Sequence, residues 1–421
     1  LGQVYVNRRL RKRSLEIKIQ RVQRGRSGSR PPPPFILASS DLKASTLCES
    51  QFVLQSPPNL AFQSLSEITT LLLSLPRFGN PFLSQSAYLV LSDVLSAPTK
   101  EDDFNVVSEI PQILKAVLSS PPKADKAIVP AWLGLLGNSL LVYKDTDPQA
   151  SAGELGKVWK AVWAFLESSD PTIRTASHKT LATLAQCFTQ ETIRHAIQER
   201  GQSEPKSALG RIVLQAENAF ESLAFARSMS EFLLTISALI SNLRYREMPE
   251  GPTAAEVLLL PLVQKIGNIR TEKNFEHKEA ADRVLSQAMG TIGPAVLLNA
   301  LPLNLEPADR SVHPQVWHTG FCYSSTCCNT RQAGREPRAF LLPLLAQLHP
   351  SPLQHFVSYF VPLSERMFNL QQNAESEGRQ AEAKMWAVLI SQVWAGLPGY
   401  CWAKEDTQEV SKALAFSDLS C

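Results

Sequence analysis

The chain has 421 residues, 44% hydrophobic and only 8% aromatic, with Pro (29) outnumbering Gly (19) and a formal net charge of +3. Leu and Ala recur in blocks broken by Pro, a helical profile with frequent stops, and no apolar run approaches the eighteen or so residues that span a bilayer, so no membrane partner is expected. The charge is uneven: residues 1–30 hold ten Lys or Arg against Glu16 alone, a local +9 that leaves the remainder at −6, so sequence-independent attraction to phosphate is expected mainly in this tail.

From residue 1 to 58 the sequence is basic, then RSGSRPPPPF, then Ser-rich, and it reads as a disordered tail without the apolar core of a secretory signal. Residues 59–306 change texture. Apolar periodicity predicts helices over Leu60–Leu75, Phe82–Ser96, Phe104–Leu118, Lys126–Tyr143, Glu154–Glu167, Pro171–Phe188, Leu209–Phe225, Ser228–Leu243, Thr253–Ile266 and Phe275–Thr291. No convincing run of alternating strands appears. The helices pair, with pairs starting near 60, 104, 154, 209 and 253, a period close to that of two-helix HEAT repeats.

One pair carries a sharper signal, GELGKVWKAVWAFLESSDPTIRTASHKTLATLAQCF, residues 153–188. Leu155, Val158, Trp159, Val162, Phe165 and Leu166 form one apolar face of its first helix. Asp170 then stands where an N-cap belongs and Pro171 at the first helical position. With Arg174 they make the DP-x-x-R signature of HEAT repeats, in which Asp and Arg tie neighbouring repeats together; a plain helical hairpin would begin with the same Asp-Pro. The expected architecture is all-α: a curved α-solenoid of HEAT-like hairpins, since one repeat cannot bury its own apolar face.

No GxxxxGK[ST], GxSxG, HExxH or phosphate-cradling Gly loop is present, so neither an enzyme nor a cofactor site is expected. His178 and His195 lie on helices away from nucleophiles and read as ordinary solvated or half-buried histidines. The acidic string at Glu101–Asp103 reads as first-turn charge before Phe104.

The segment HPQVWHTGFCYSSTCC, His313–Cys328, has the right groups for zinc, but the order His313, His318, Cys322, Cys327, Cys328 lacks the paired spacing of structural sites. The other cysteines, Cys48, Cys187, Cys401 and Cys421, are scattered, which fits a reducing compartment.

Two C-terminal strings are specific: GPAVLLNALPLNLE (Gly293–Glu306), and RAFLLPLLAQL (Arg338–Leu348) running on to AKMWAVLISQVWAGLPGYC. Together they resemble the ribosomal RNA-processing protein 12 family, nucleolar HEAT-repeat proteins. In the last helix Trp386, Leu389, Ile390, Val393, Trp394 and Leu397 make one stripe, read as solenoid core rather than a ligand groove, and Glu375 can pair with Arg379. Gly396 and Pro398 should end it.

The resemblance implies a non-enzymatic scaffold that associates with pre-rRNA, the small ribosomal subunit precursor and assembly factors. It further implies contacts with the small GTPase Ran and nucleoporins, and a nucleolar and nuclear location with shuttling to the cytoplasm. A different binding role is a HEAT transport receptor or adaptor for protein cargo independent of ribosomes. The family pattern passes from PLNL almost directly to RAFLLPLL, whereas here residues 307–337 intervene. They read as a translated intron or a poorly ordered loop, with zinc a third reading; residues 338–421 resume the solenoid. With Leu1 in place of an initiator Met, the chain is expected to be a fragment or a mispredicted version of a longer protein.

Overall fold

The computed structural model describes residues 69–96, 104–122, 125–248, 251–306, 336–347, 349 and 351–400. Residues 1–56 and 57–421 separate into two units, and all described residues belong to the second. The expected N-terminal tail, the acidic string at 101–103, the His/Cys cluster and most of the helix expected at Leu60–Leu75 lie outside the described residues.

The described residues build helices α1 (Pro81–Ser96), α2 (Phe104–Ser119), α3 (Val129–Thr146), α4 (Pro148–Trp163), α5 (Pro171–Leu184), α6 (Gln190–Gln198) and α7 (Ala208–Phe220). Then come α8 (Met229–Asn242), α9 (Ala254–Arg270), α10 (Lys278–Thr291), α11 (Pro294–Ala300), α12 (Val361–Ser376) and α13 (Gln380–Ala395). Among the described residues the only β pairing is an isolated bridge between Arg246 and Thr253. Local chemistry sets the starts. Asp147 accepts from the Ala150 amide ahead of Pro148, Thr189 from Thr192, Ser207 from Gly210 and Thr253 from Glu256, each satisfying an amide that a helix N-terminus leaves unpaired.

The helices stack in two layers. One runs α1, α3, α5, α8, α10, the 3₁₀ segment Ala339–Ala346 and α13, each packed on the next; in the other α4, α7 and α9 follow in turn. Chain neighbours also pack across the layers, as α2 does on α3, α4 on α5 and α9 on α10. This is the expected α-solenoid of HEAT-like hairpins, and the pairs expected to start near 104, 154 and 253 pack as expected. Aromatic side chains bridge the repeats: Trp163 of α4 stands edge-on to Phe232 of α8 at 6.0 Å. The fully buried Trp132 donates to Val117 O on α2 at 3.1 Å. Burying one such side chain stabilises the fold by roughly 2–3 kcal/mol.

Several boundaries differ from expectation. α4 begins at Pro148 rather than Glu154, because Asp147-Pro148 is a second capped start that apolar periodicity does not register. The expected helix Pro171–Phe188 ends at Leu184 and tightens into a 3₁₀ turn, and the helix expected to reach Phe225 stops at Phe220. α6, not expected at all, packs on α7 and α9 with Ile193 and Ala196 buried. The helical stretch Leu223–Asn242 is long and apolar enough to cross a membrane, contrary to the expectation that no run comes near. It carries Arg227 and Glu231 and breaks at Ser228, and it buries Phe232, Leu233, Ile236, Leu239 and Ile240 within the array.

Candidate functional site

The DP-x-x-R residues sit at the start of α5. Asp170 accepts from the Thr172 amide at 2.7 Å, and that bond holds its carboxyl below the usual carboxylate range. Pro171 occupies the first helical position. Arg174 reaches in three directions: to Ser168 O and Ser169 O, both at 3.1 Å, and to Glu231 Oε1 at 3.3 Å in the first turn of α8. Both side chains of the Arg174–Glu231 pair are only 13% exposed. Asp170 therefore serves its own helix, whereas Arg174 joins the preceding turn to the next repeat. His178 is half-buried, with its pKa lowered by burial, and His195 is exposed. Cys187 is buried and its thiol is pushed up to about 12, which makes it a poor nucleophile.

The distinctive C-terminal strings, far apart in sequence, converge on one junction. Arg338, 1% exposed, donates its backbone N–H to Leu303 O at 2.8 Å. Its guanidinium donates to Pro302 O at 2.7 Å and to Asn268 Oδ1 of α9 at 2.9 Å. These charge-assisted bonds join PLNL to RAFLLPLL across the intervening residues. Asn304 Nδ2 donates to Glu336 O at 3.4 Å, and Arg366 of α12 bonds Glu306 at 2.7 Å. The segment Ala339–Ala346 lies on α10, where Arg270 pairs with Asp282 at 2.7 and 3.0 Å and stands 4.5 Å over the Phe340 ring.

The third string closes on the second. A Cβ on Gly396 would come within 2.7 Å of Leu345 Cβ, and one on Gly399 within 2.5 Å of Gln347 O, so glycine at 396 makes room for the Leu345 side chain and glycine at 399 lets backbone approach backbone. Tyr400, fully buried, shares a 2.9 Å hydrogen bond with His355 Nδ1, and its ring meets that of His349 at 4.2 Å. Burial holds the His349 imidazole neutral, with its pKa down to about 4, and raises the Tyr400 hydroxyl.

Two sequence expectations fail here. Trp386 and Val393 are buried, but Leu389 and Ile390 are half-buried and Trp394 is 40% exposed, because α13 has no α-helix after it among the described residues. Glu375 does not pair with Arg379. Gly378, at φ 75°, turns the chain so that Arg379 pairs with Glu377 and Glu382, while Glu375 accepts from Gln371. Sequence reading also missed the Arg338–Asn268 and Tyr400–His355 bonds; a buried Arg inside an apolar string was the one available signal for the first.

The family profile described as Ribosomal RNA-processing protein 12, HEAT repeats, matches residues 167–318 and 326–417, more than half of the chain. The chain belongs to the ribosomal RNA-processing protein 12 family. A Schizosaccharomyces pombe relative bearing that family name is 25% identical over 301 residues, which is 71% of this chain and 22% of the relative. RRP12-like proteins of Gallus gallus and Homo sapiens are 28% and 25% identical over 36% and 38% of the chain. The chain spans about a fifth of the length of the first relative and about a tenth of the other two. The two matched segments leave only 319–325 between them, so the profile reaches into both flanks of the segment 307–337.

Proposed function

We propose that this chain is part of a non-catalytic helical-repeat scaffold in ribosome biogenesis, supporting pre-rRNA processing and maturation of the small-subunit precursor by holding RNA and assembly factors along its repeats. Family membership carries this reading. Its place of action is the nucleolus and nucleus, with passage to the cytoplasm alongside the exported subunit and with Ran and nucleoporins as transit partners. The buried arginine, histidine and tyrosine of the C-terminal junction bond one another's elements, so their chemistry is structural, and binding falls to the exposed faces.

One exposed face fits a phosphate backbone. Lys157 and Lys160 lie one turn apart on α4, and the Arg211 guanidinium of α7 reaches to within 3.6 Å of where a Gly156 side chain would begin. Glu154, bonded to Lys157 at 2.8 Å, is the acidic group among these cations, and an exposed pair of that kind holds a lysine only weakly. In this reading Lys157→Glu, Lys160→Glu and Arg211→Glu together lower the affinity of the full chain for single-stranded RNA. They should also flatten its log–log salt dependence by about 2 units, three lost phosphate contacts at about 0.7 each.

The scaffold reading is tested by purifying tagged protein from cells and by acute depletion. Small-subunit precursor RNA should co-purify, and rRNA precursors should accumulate before other nuclear cargo mislocalises. Mislocalised protein cargo with normal rRNA precursors would instead indicate a transport receptor working independently of ribosomes.

A further inference from the structure

The turn between α2 and α3 carries Ser120-Pro121-Pro122-Lys123, a serine directly before a proline with a lysine three positions on. Of the three Ser-Pro pairs in the chain, at 56, 120 and 351, this one alone has a basic residue at that distance. Ser120 is exposed just past the end of α2, and Pro121-Pro122 has no regular structure, whereas Ser351 is buried. A residue before proline is held towards an extended conformation, and the proline offers no backbone N–H. That is the shape a proline-directed serine/threonine kinase accepts, and the lysine supplies the charge its acidic subsite reads.

Added charge would be felt at this place in the fold. Ser120 N and the indole of the buried Trp132 on α3 both donate to Val117 O, at 3.4 and 3.1 Å, so the carbonyl end of α2 is also where α2 is tied to α3. Ser120 lines a cleft of about 530 Å³ in which Asp125 is the one charged residue among the described lining residues. A phosphate on Ser120, with about −1.5 to −2 charges at neutral pH, would meet both the negative end of the α2 dipole and the Asp125 carboxylate. We propose that Ser120 is a phosphorylation site for a proline-directed kinase, and that its phosphorylation loosens α2 from α3. Ser120 Oγ attacks the γ-phosphorus of ATP and gives its proton to the kinase's base, while the bond from that phosphorus to the ADP oxygen breaks; phosphoserine and ADP are the products. Nothing in this inference depends on the proposed function.

Incubating the folded full chain with a cyclin-dependent kinase and ATP, mapping the phosphopeptides and then following hydrogen exchange tests both halves. Phosphate should appear at Ser120 and not at Ser351. Ser120→Ala should abolish it there, and Ser120→Thr should still accept it. Lys123→Ala should slow incorporation about tenfold, through the lost charge contact with the kinase. In the phosphorylated chain amides of residues 110–117 should exchange about fivefold faster while those of α5 are unchanged, because repeat contacts are local. No phosphate at Ser120 in the folded chain overturns the proposal, as does incorporation equally fast in Lys123→Ala. Exchange of 110–117 that phosphorylation leaves unchanged, or slows as a new phosphate–lysine pair would, overturns it too.

Discussion

Gly399→Ala should loosen the C-terminal repeat without touching the middle of the array. The new methyl group would lie within 2.5 Å of Gln347 O, nearer still to Leu345 O, and 3.1 Å from His349 Nε2. Two of those three atoms are backbone carbonyls, which cannot swing aside as a side-chain tip does, and Arg338 anchors the same segment at its other end. Overpacking of this kind costs about 1–3 kcal/mol, and rigid neighbours put it near 3. Since repeat arrays are stabilised by nearest-neighbour contacts, the loss should stay local. At about 1.4 kcal/mol per factor of ten, amides of α13 should exchange roughly 100-fold faster while those of α5 are unchanged. Gly134→Ala is the control: a Cβ there meets nothing within 4 Å, and alanine in a helix interior should gain about 0.5–1 kcal/mol. If α13 in Gly399→Ala exchanges within threefold of the unaltered chain, the close approach is not what holds the junction.

The bond between Arg174 and Glu231 should show a coupling of about 1 kcal/mol in a double-mutant cycle read by urea unfolding, since both groups are largely withdrawn from water; additive single mutants would contradict the link between repeats. Burial lowers the pKa of His349 to about 4 and also lowers that of His355. The unfolded chain therefore binds protons that the folded one does not, and stability, complete above pH 6.5, should fall as pH drops toward 4. His349→Phe should flatten that dependence, measured as the urea midpoint between pH 7 and 4; an unchanged slope would mean that the ring is not held neutral. Replacing residues 307–335 by six Gly or Ser residues should leave thermal unfolding unchanged or improved, by at most about 1.4 kcal/mol from the shorter closure. Stoichiometric zinc in the purified chain, with a lower melting temperature after chelation, would contradict that and restore the His/Cys segment as a folding site.

The sequence carried the helical class and the pairing of α2 with α3, α4 with α5 and α9 with α10, because both follow from short-range periodicity. It also carried the Asp170 cap. It misplaced the start of α4, since a proline-led first turn such as Pro148-Gln149-Ala150 contributes no apolar face, and it missed α6, whose nine residues bury only Ile193 and Ala196. The Trp394 error has a different origin. A stripe shows which residues are apolar, but whether each is covered depends on a neighbour, and among the described residues no α-helix follows this pair.

The junction accounts for why the three strings are so specific in the first place. PLNL, RAFLLPLL and QVWAGLPGYC are separated along the chain, yet one contact set joins them: Arg338 to Pro302 and Leu303, Gly396 to Leu345, Gly399 to Gln347. Each restricts residue choice by a steric or hydrogen-bonding demand. A side chain longer than hydrogen at 396 or 399 collides, and an apolar residue at 338 would leave two carbonyl-type acceptors without their donor. An ordinary repeat interface makes weaker demands, because any residues of similar volume fill it. Distinctive sequence can therefore mark the place where the chain rejoins its own stack after residues 307–335, without any ligand being bound there. A test of the proposed RNA-binding reading therefore belongs on the solvent-facing sides of the helices, with Lys157, Lys160 and Arg211 the first residues to reverse.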